Sequence, residues 1–516
     1  MSEALEVAGC LAAAGALSVS LLASDARLRA GGIFLAGVLA FALIAGQGWD
    51  DIRNLREHGF EFAGVIVLGI LVLAIGAAAM LRWPILLPLL LIAALPFRVR
   101  LHVSGGEAVN LLVPLYVVIG AGVLATVVAT FRGETRLRRL PRPLVLALVA
   151  VICLYALQTI YSPDVAFAAR NVGFFLVPFA ILFSLLAEAR WDRRLLKLAL
   201  AVLVAEGLIF ALIGIGQFAT EQIFWNDKLE ASNDFHFYFR VNSLFWDPNI
   251  YGRYLVLTIL LATTTLLWAA NRILAFALVA ALAITFAGLL FAFSQTSFLA
   301  LFAGLIVLVA LRWSFRWTAI ATLAVVVVAA GALVARSSSN ESNSINTEGH
   351  GTLVHDGLKL AGRRPIYGYG SASFSKEFAR EENVRPGDNT MSHSEPVTVA
   401  AEQGAIGVIA YLALLAAALW AMLDGMPRIA PGLGARFRSL ADGDRAELAP
   451  ARIAIAAAFC ALLVHTIGYA AYLIDPLTWA LLAAGGVLAA EVGAGEWPRR
   501  AASTAEESAV MPTVAT

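Results

Sequence analysis

The sequence predicts an all-α polytopic membrane protein, and three observations carry that prediction. The 516 residues are 60% hydrophobic, against roughly 45–50% in an ordinary soluble domain, and only 14% are charged. The apolar residues gather in runs long enough to span a membrane. The arginines and lysines gather in alternate short connections between those runs. A formal net charge of +1 with no continuous basic stripe excludes a nucleic-acid surface, so the partner that composition names is a lipid bilayer.

A hydrocarbon core of about 30 Å takes roughly 20 apolar residues as a helix. Runs of that kind lie near 4–23, 30–46, 61–81, 110–130, 143–160, 168–187, 195–218, 249–270, 273–292, 297–312, 317–335, 397–423, 453–473 and 477–491, fourteen expected spans. A fifteenth stretch, WPILLPLLLIAALPF at 83–97, is short and carries three prolines, so it spans, re-enters or lies at the interface. The first run follows acidic residues and lacks a basic region before it, which argues for a first transmembrane helix over a cleaved signal peptide. Cys10, Cys153 and Cys460 all fall inside apolar runs, as lipid-facing or packing residues and not as a disulfide framework or thiolate metal site.

Orientation follows from the basic residues. FRGETRLRRLPR (131–142) carries five arginines, RWDRRLLK (190–197) four basic residues and RWSFR (312–316) two, whereas YSPD (161–164), SQT (294–296) and IDPL (474–477) carry none. With the basic set cytoplasmic, the loop 219–248 and the large loop 337–395 are expected to be extracytoplasmic. The chain then divides into N-terminal helices (1–200), central helices (201–336), the large loop, C-terminal helices (396–491) interrupted by a cytoplasmic linker at 425–452, and a disordered cytoplasmic tail, 492–516. Inside the large loop, LVHDGLKLAG predicts a short amphipathic helix before an Arg-Arg-Pro turn.

Ionisable residues on the outer side gather at membrane boundaries: Arg240, Arg253, Arg363, Arg364, His393 and Glu402. A charge at the centre of a membrane helix costs roughly 2.5–3.5 kcal/mol, and less toward the interface, so these groups should face a cavity or one another. Asn249 and Arg253, four residues apart, share a helix face. FHFYFRVNSLFWDPNIYGRYL (235–255) interleaves aromatic rings with charge, suited either to stacking on sugar and isoprenoid or to an interfacial belt, and Asp247-Pro248 reads as a helix cap. His350, His355 and His393 lack metal-site spacing, so no metal and no cofactor is expected, and YGYGSASF holds a lone GxG without the strand and helix of a dinucleotide site. In MSHSEPVTVAAEQGAIG (391–407), His393 is the side chain best suited to take a proton near neutral pH, Pro396 reads as a helix start, and Gly404 and Gly407 as places where helices pack closely.

Four separated pieces resemble the O-antigen ligase and O-antigen polymerase superfamily of bacterial polytopic membrane glycosyltransferases. FRVNSLFWDPNIYGRYL is similar to that family's arginine followed by Pro-Asn at a helix start, and SQTSFLAL (294–301) to its Ser-Arg motif. RRPIYGYGSASF is similar to its Pro-x-x-Gly-x-Gly stretch, and SHSEPVTVAAEQGAIG to its loop histidine leading into Glu-x-Gly. The likeness covers roughly 200–420. Two departures stand out: Gln295 where many members have arginine, and Ser394 where asparagine is frequent.

The resemblance implies a GT-C-like fold in the bacterial inner membrane. It implies transfer of a glycan from an undecaprenyl-pyrophosphate-linked donor to a glycan, lipid or protein hydroxyl outside the cytoplasmic membrane, in polysaccharide biosynthesis for the cell envelope. It casts His393 as the group that activates the acceptor and Arg240 as a pyrophosphate ligand. Arg253, Arg363 or Arg364 would replace the cation missing at Gln295, and Asn249 and Glu402 complete the substrate set. A single displacement without a metal inverts the anomeric carbon. The competing readings are a transporter or flippase, in which the arginines only bind a lipid phosphate or small anion in passage, and a scaffold within an export complex.

Overall fold

The computed structural model describes residues 2–47, 59–102, 108–134, 140–224, 226–235, 238–312, 350–381, 392–424 and 444–491. Helices α1 (Glu3–Leu22), α2 (Ala26–Gln47) and α3 (Gly59–Arg82) are the first three expected spans. The proline-rich stretch folds only as α4 (Leu86–Ala94), nine residues. At about 1.5 Å per residue that is roughly 14 Å, too short to cross a bilayer.

A hairpin that the sequence reading did not anticipate follows, β1 (Val99–His102) antiparallel to β2 (Ala108–Leu111), with Val99 opposite Leu111. It takes the first residues of the expected fourth span, which begins as α5 (Val113–Phe131) with proline in its first turn. Helix α6 (Arg142–Leu157) runs on as a 3-10 turn, Gln158–Tyr161.

The next crossing is α7 (Val165–Asn171), a π-helical turn (Val172–Leu176) and α8 (Val177–Glu188) in continuous succession. Pro178 explains the irregularity: it has no N–H to give the carbonyl of Phe174, four residues back. The Tyr116 hydroxyl donates to that carbonyl instead, at 2.8 Å.

Helices α9 (Arg193–Thr220), α10 (Asp227–Asn233), α11 (Pro248–Trp268) and α12 (Arg272–Phe291) each start on an Asp or Asn whose side chain accepts a backbone N–H of the first turn, namely Asp192, Asn226, Asp247 and Asn271. Asp247 is thus the cap that the sequence suggested. Then come α13 (Gln295–Arg312), α14 (His350–Arg363), α15 (Phe374–Glu381), α16 (Glu395–Leu423), α17 (Asp444–Gly468) and α18 (Pro476–Glu491). Helix α14 is the expected amphipathic helix ahead of Arg-Arg-Pro.

Among the described residues, 12 helices are long and apolar enough to cross a membrane, and α18 is a shorter apolar helix. The protein is therefore an all-α polytopic membrane protein with one small hairpin. The expected span 317–335, most of the linker 425–452 and the tail 492–516 lie outside the described residues.

Helix α11 runs through the middle of the bundle, with Tyr251, Arg253, Tyr254 and Leu255 at most 2% exposed. Close approach makes this possible: a Cβ on Gly252 would stand 2.9 Å from the Ser297 Cβ of α13. Direct contacts sort the connections into two ends. At one end Arg29 lies 3.9 Å from Glu188, and Arg452 donates to the carbonyls of Met422 and Asp424 at 3.1 and 2.6 Å, closing the end of α16. At the other end meet the turns at 158–163, 238–249, 292–295, 365–374, 392–395 and 469–475, and the candidate site is there.

Candidate active site

The site is framed by a break in α16. Gly404 interrupts the helix with φ 63° and ψ −163°. A break inside hydrocarbon frees backbone groups that must find partners elsewhere. Residues 365–370 supply them. Ala401 O accepts from Tyr369 N at 3.1 Å and Glu402 O from Gly370 N at 2.8 Å, while Ala405 N and Ile406 N donate to Pro365 O and Ile366 O at 2.7 and 3.2 Å.

Only glycine fits the contact. A Cβ on Gly404 would lie 2.5 Å from the Ile366 carbonyl, and one on Gly368 (φ 66°) would run into the Glu402 carbonyl. Gly404 therefore does not pack helix on helix, as the sequence suggested, but lets a loop lie along a broken helix. The Pro-x-x-Gly-x-Gly and Glu-x-Gly motifs are the two halves of this joint.

Glu402 holds the continuation of the loop. Its two carboxylate oxygens accept from Ala372 N and Phe374 N at 2.9 and 3.1 Å, so its contacts are to loop backbone at the start of α15. The turn after α6 staples the joint from outside. Gln158 Nε2 donates to the carbonyls of Tyr367 and Gln403 at 3.4 and 3.3 Å, Tyr161 Oη to Tyr367 O at 2.7 Å, and Ser162 Oγ to Ser371 O at 2.8 Å.

His393 sits where the chain enters α16, half-buried and with φ 54°. A left-handed non-glycine residue costs about 1 kcal/mol or more and persists only where its surroundings impose it. Ser392 imposes it: its Oγ donates to Ser394 O at 2.7 Å and accepts from Ser394 N at 3.1 Å, with the Thr398 hydroxyl 2.5 Å away. The imidazole lies 6.4 Å, centre to centre, from the ring of Tyr469.

Around Tyr469 the charged groups converge. Arg253 passes over its ring at 5.5 Å, and burial followed by the Asp247 charge pushes the Tyr469 phenol well above its usual range. Arg253 is 2% exposed. Its guanidinium pairs with Asp475, donates to His465 Nδ1 at 3.2 and 3.1 Å, and donates to the carbonyls of Ala471 and Tyr469 at 3.4 and 3.3 Å. Glu395, in the first turn of α16, accepts from Ala471 N and Tyr472 N at 2.8 and 3.0 Å and holds the same turn from the other side.

Arg240 lies on the loop before α11, half-buried. Asn233 clamps its backbone through two 3.0 Å bonds, and its Nε donates to Ala292 O at 3.4 Å. The aromatic stretch divides between two environments. Phe245 and Tyr254 are buried and pack with Phe210, and buried Tyr251 packs on Phe245, while Phe235 is 87% exposed and Tyr238 stacks on Phe293 at 4.7 Å. Arg363 pairs with Glu381 at the surface, Arg364 covers the Tyr369 ring at 4.4 Å, Gln295 is exposed at the start of α13, and Asn249 Oδ1 accepts from Ser294 Oγ at 2.6 Å.

Sequence reasoning missed Arg98, His465, Tyr469 and Asp475. Arg98, between α4 and β1, is half-buried, and its charge reaches both Tyr116 and Tyr469. Among the described residues no hydrogen bond or ion pair reaches its guanidinium. A signal for His465 was present, since an ionisable residue inside an apolar run marks a site by default. An apolar groove between α16 and α17, lined by Pro396, Tyr411, Leu415, Leu463 and Ile467, begins three residues beyond His393.

No curated protein matches the chain. Residues 280–412 match the family described as O-antigen ligase, a stretch that contains Gln295, both halves of the joint and His393, and ends within α16. Three of the four motifs lie inside that match, and over residues 280–412 the chain is similar to the O-antigen ligase family, which supports the likeness to the O-antigen ligase and polymerase superfamily.

Proposed function

We propose that the protein is a glycosyltransferase that moves a glycan from a polyprenyl-pyrophosphate-linked donor to an acceptor hydroxyl at the extracytoplasmic face of a bacterial inner membrane. The observation that carries this reading is His393, held in a left-handed turn at the entry to α16 and 6.4 Å from the ring of Tyr469, over which Arg253 passes and which the charge of Arg98 reaches. His393 accepts the proton of the acceptor hydroxyl as its oxygen bonds to the anomeric carbon. The bond from that carbon to the pyrophosphate oxygen breaks, and its electron pair leaves with the pyrophosphate. Arginines there stabilise the departing charge. One displacement inverts the anomeric centre.

Arg98 is a cation suited to the phosphates, since Arg253 and Arg363 are already paired with Asp475 and Glu381, and the family likeness adds Arg240. Arg98 then takes the place left by Gln295. The groove that starts at Pro396 gives the isoprenoid tail a path into the bilayer. The basic connections on the opposite end of the bundle support the extracytoplasmic side.

The test is purified protein in lipid vesicles given a polyprenyl-pyrophosphate-linked glycan and an acceptor. Release of polyprenyl pyrophosphate coupled to glycan gain on the acceptor is expected, and His393→Ala should lower it about 10³-fold at unchanged membrane abundance. Undiminished transfer in that variant would sink the role given to His393.

Two observations favour the transporter reading: α16 is broken, and Glu206 lies deep in α9, bonded to Tyr254 Oη at 2.5 Å. Donor that crosses the vesicle membrane without release of polyprenyl pyrophosphate would decide for it.

A further inference from the structure

Beside the Arg253–Asp475 pair runs a chain of side-chain hydrogen bonds whose direction is fixed from end to end. Arginine only donates. Since both Nε and Nη2 of Arg253 point at His465 Nδ1, at 3.2 and 3.1 Å, that nitrogen carries the lone pair and the proton sits on Nε2. Nε2 lies 3.2 Å from Ser297 Oγ and 3.4 Å from Thr296 Oγ1.

At the far end Ser294 Oγ donates its only proton to Asn249 Oδ1 at 2.6 Å. The 2.8 Å contact between Ser294 and Ser297 is then made by the Ser297 proton, and Ser297 is left to accept from His465. The order is Arg253 to His465 to Ser297 to Ser294 to Asn249. His465, Ser297 and Ser294 are at most 1% exposed, so water does not compete for these bonds.

The chain ends on a half-buried amide in the first turn of α11. With Oδ1 held by Ser294, Asn249 Nδ2 is turned the other way. It has no partner among the described residues, and it is a donor.

We propose that His465 is a positioning residue: locked in one tautomer by Arg253, it orients Asn249 through Ser297 and Ser294 so that Asn249 Nδ2 binds an oxygen of the substrate's pyrophosphate. This rests on the glycosyltransferase reading for the identity of the ligand. A neutral amide suits the task, because it adds a hydrogen bond at a fixed angle without adding charge beside Arg253.

The experiment measures farnesyl pyrophosphate binding to the detergent-solubilised full chain, alongside kcat and KM for glycan transfer. Asn249→Ala and His465→Ala should each weaken binding about tenfold and raise the donor KM more than they lower kcat, and the double variant should be no weaker than either single one. Ser294→Ala breaks the last link while leaving the surroundings of Arg253 intact, and should match Asn249→Ala even if His465→Ala fails to fold. His465→Gln, which offers both an acceptor and a donor, should recover most of the loss.

Additive losses of about 100-fold in the double variant, or an unchanged affinity in Ser294→Ala, would overturn the relay. So would a wild-type protein that does not retain farnesyl pyrophosphate. A wild type that binds it with the expected coupling but transfers no glycan would sink the enzymatic reading and leave the relay standing.

Discussion

The joint at Gly404 and the charged group around Arg253 sit at the same end of the bundle and solve the same problem by opposite means. At the joint, freed backbone groups of α16 bond to another stretch of backbone, with Glu402 as the one charged member. Around Arg253 the side chains carry the load: a buried guanidinium balanced by Asp475, with His465 and two carbonyls taking its remaining protons. The first arrangement depends on shape and fails when an atom is added. The second depends on charge balance and fails when one is removed.

The sharpest way to break that comparison is Asp475→Ala. It leaves Arg253 buried without its counter-charge and should lower stability by about 3 kcal/mol, read as a large fall in melting temperature in detergent. A fall of only a degree or two would mean that the hydrogen bonds alone satisfy the guanidinium.

Gly404→Ala attacks the joint. The added Cβ meets the Ile366 carbonyl at a positive φ, and an expected cost of about 2 kcal/mol should come with proteolysis of the 365–374 loop before the helices are cut. Unchanged protection of the loop would show that the break can close without it.

Arg98→Ala tests an uncompensated cation. Stability should hold while the donor KM rises about tenfold, since a hydrogen bond to a charged group contributes roughly 1.5–3 kcal/mol. Arg363→Ala marks the lower end: an exposed pair with Glu381 contributes about 0–1 kcal/mol, and both melting temperature and transfer should stay near wild type. A tenfold loss of transfer there would restore Arg363 to the phosphate site.

The helices were legible because hydropathy over twenty residues is a local property, and so were the cap at Asp247 and the amphipathic helix before Arg363. The strand pair Val99–His102 and Ala108–Leu111 was hidden beneath the apolar character of the span that follows it. The partners of Glu402 were hidden for another reason: a carboxylate bonded to backbone amides leaves no complementary residue in the sequence to point to it. Gly404 invited the commoner reading of a glycine in a membrane helix, close packing, and only the neighbouring loop shows that it breaks the helix. Arg253 was visible, but its partners lie 212 and 222 residues further on, where no spacing rule reaches.

The staple between Gln158 and the carbonyls of Tyr367 and Gln403 joins segments 209 and 245 residues apart. At ribosomal speeds of about 5–20 residues per second, Gln158 is made roughly 10–50 s before its last partner. The early helices must therefore rest in the bilayer with this amide still waiting. The site is assembled late in biosynthesis, when α16 arrives, and a nascent chain stopped short of Gln403 would hold inserted helices that lack the completed joint.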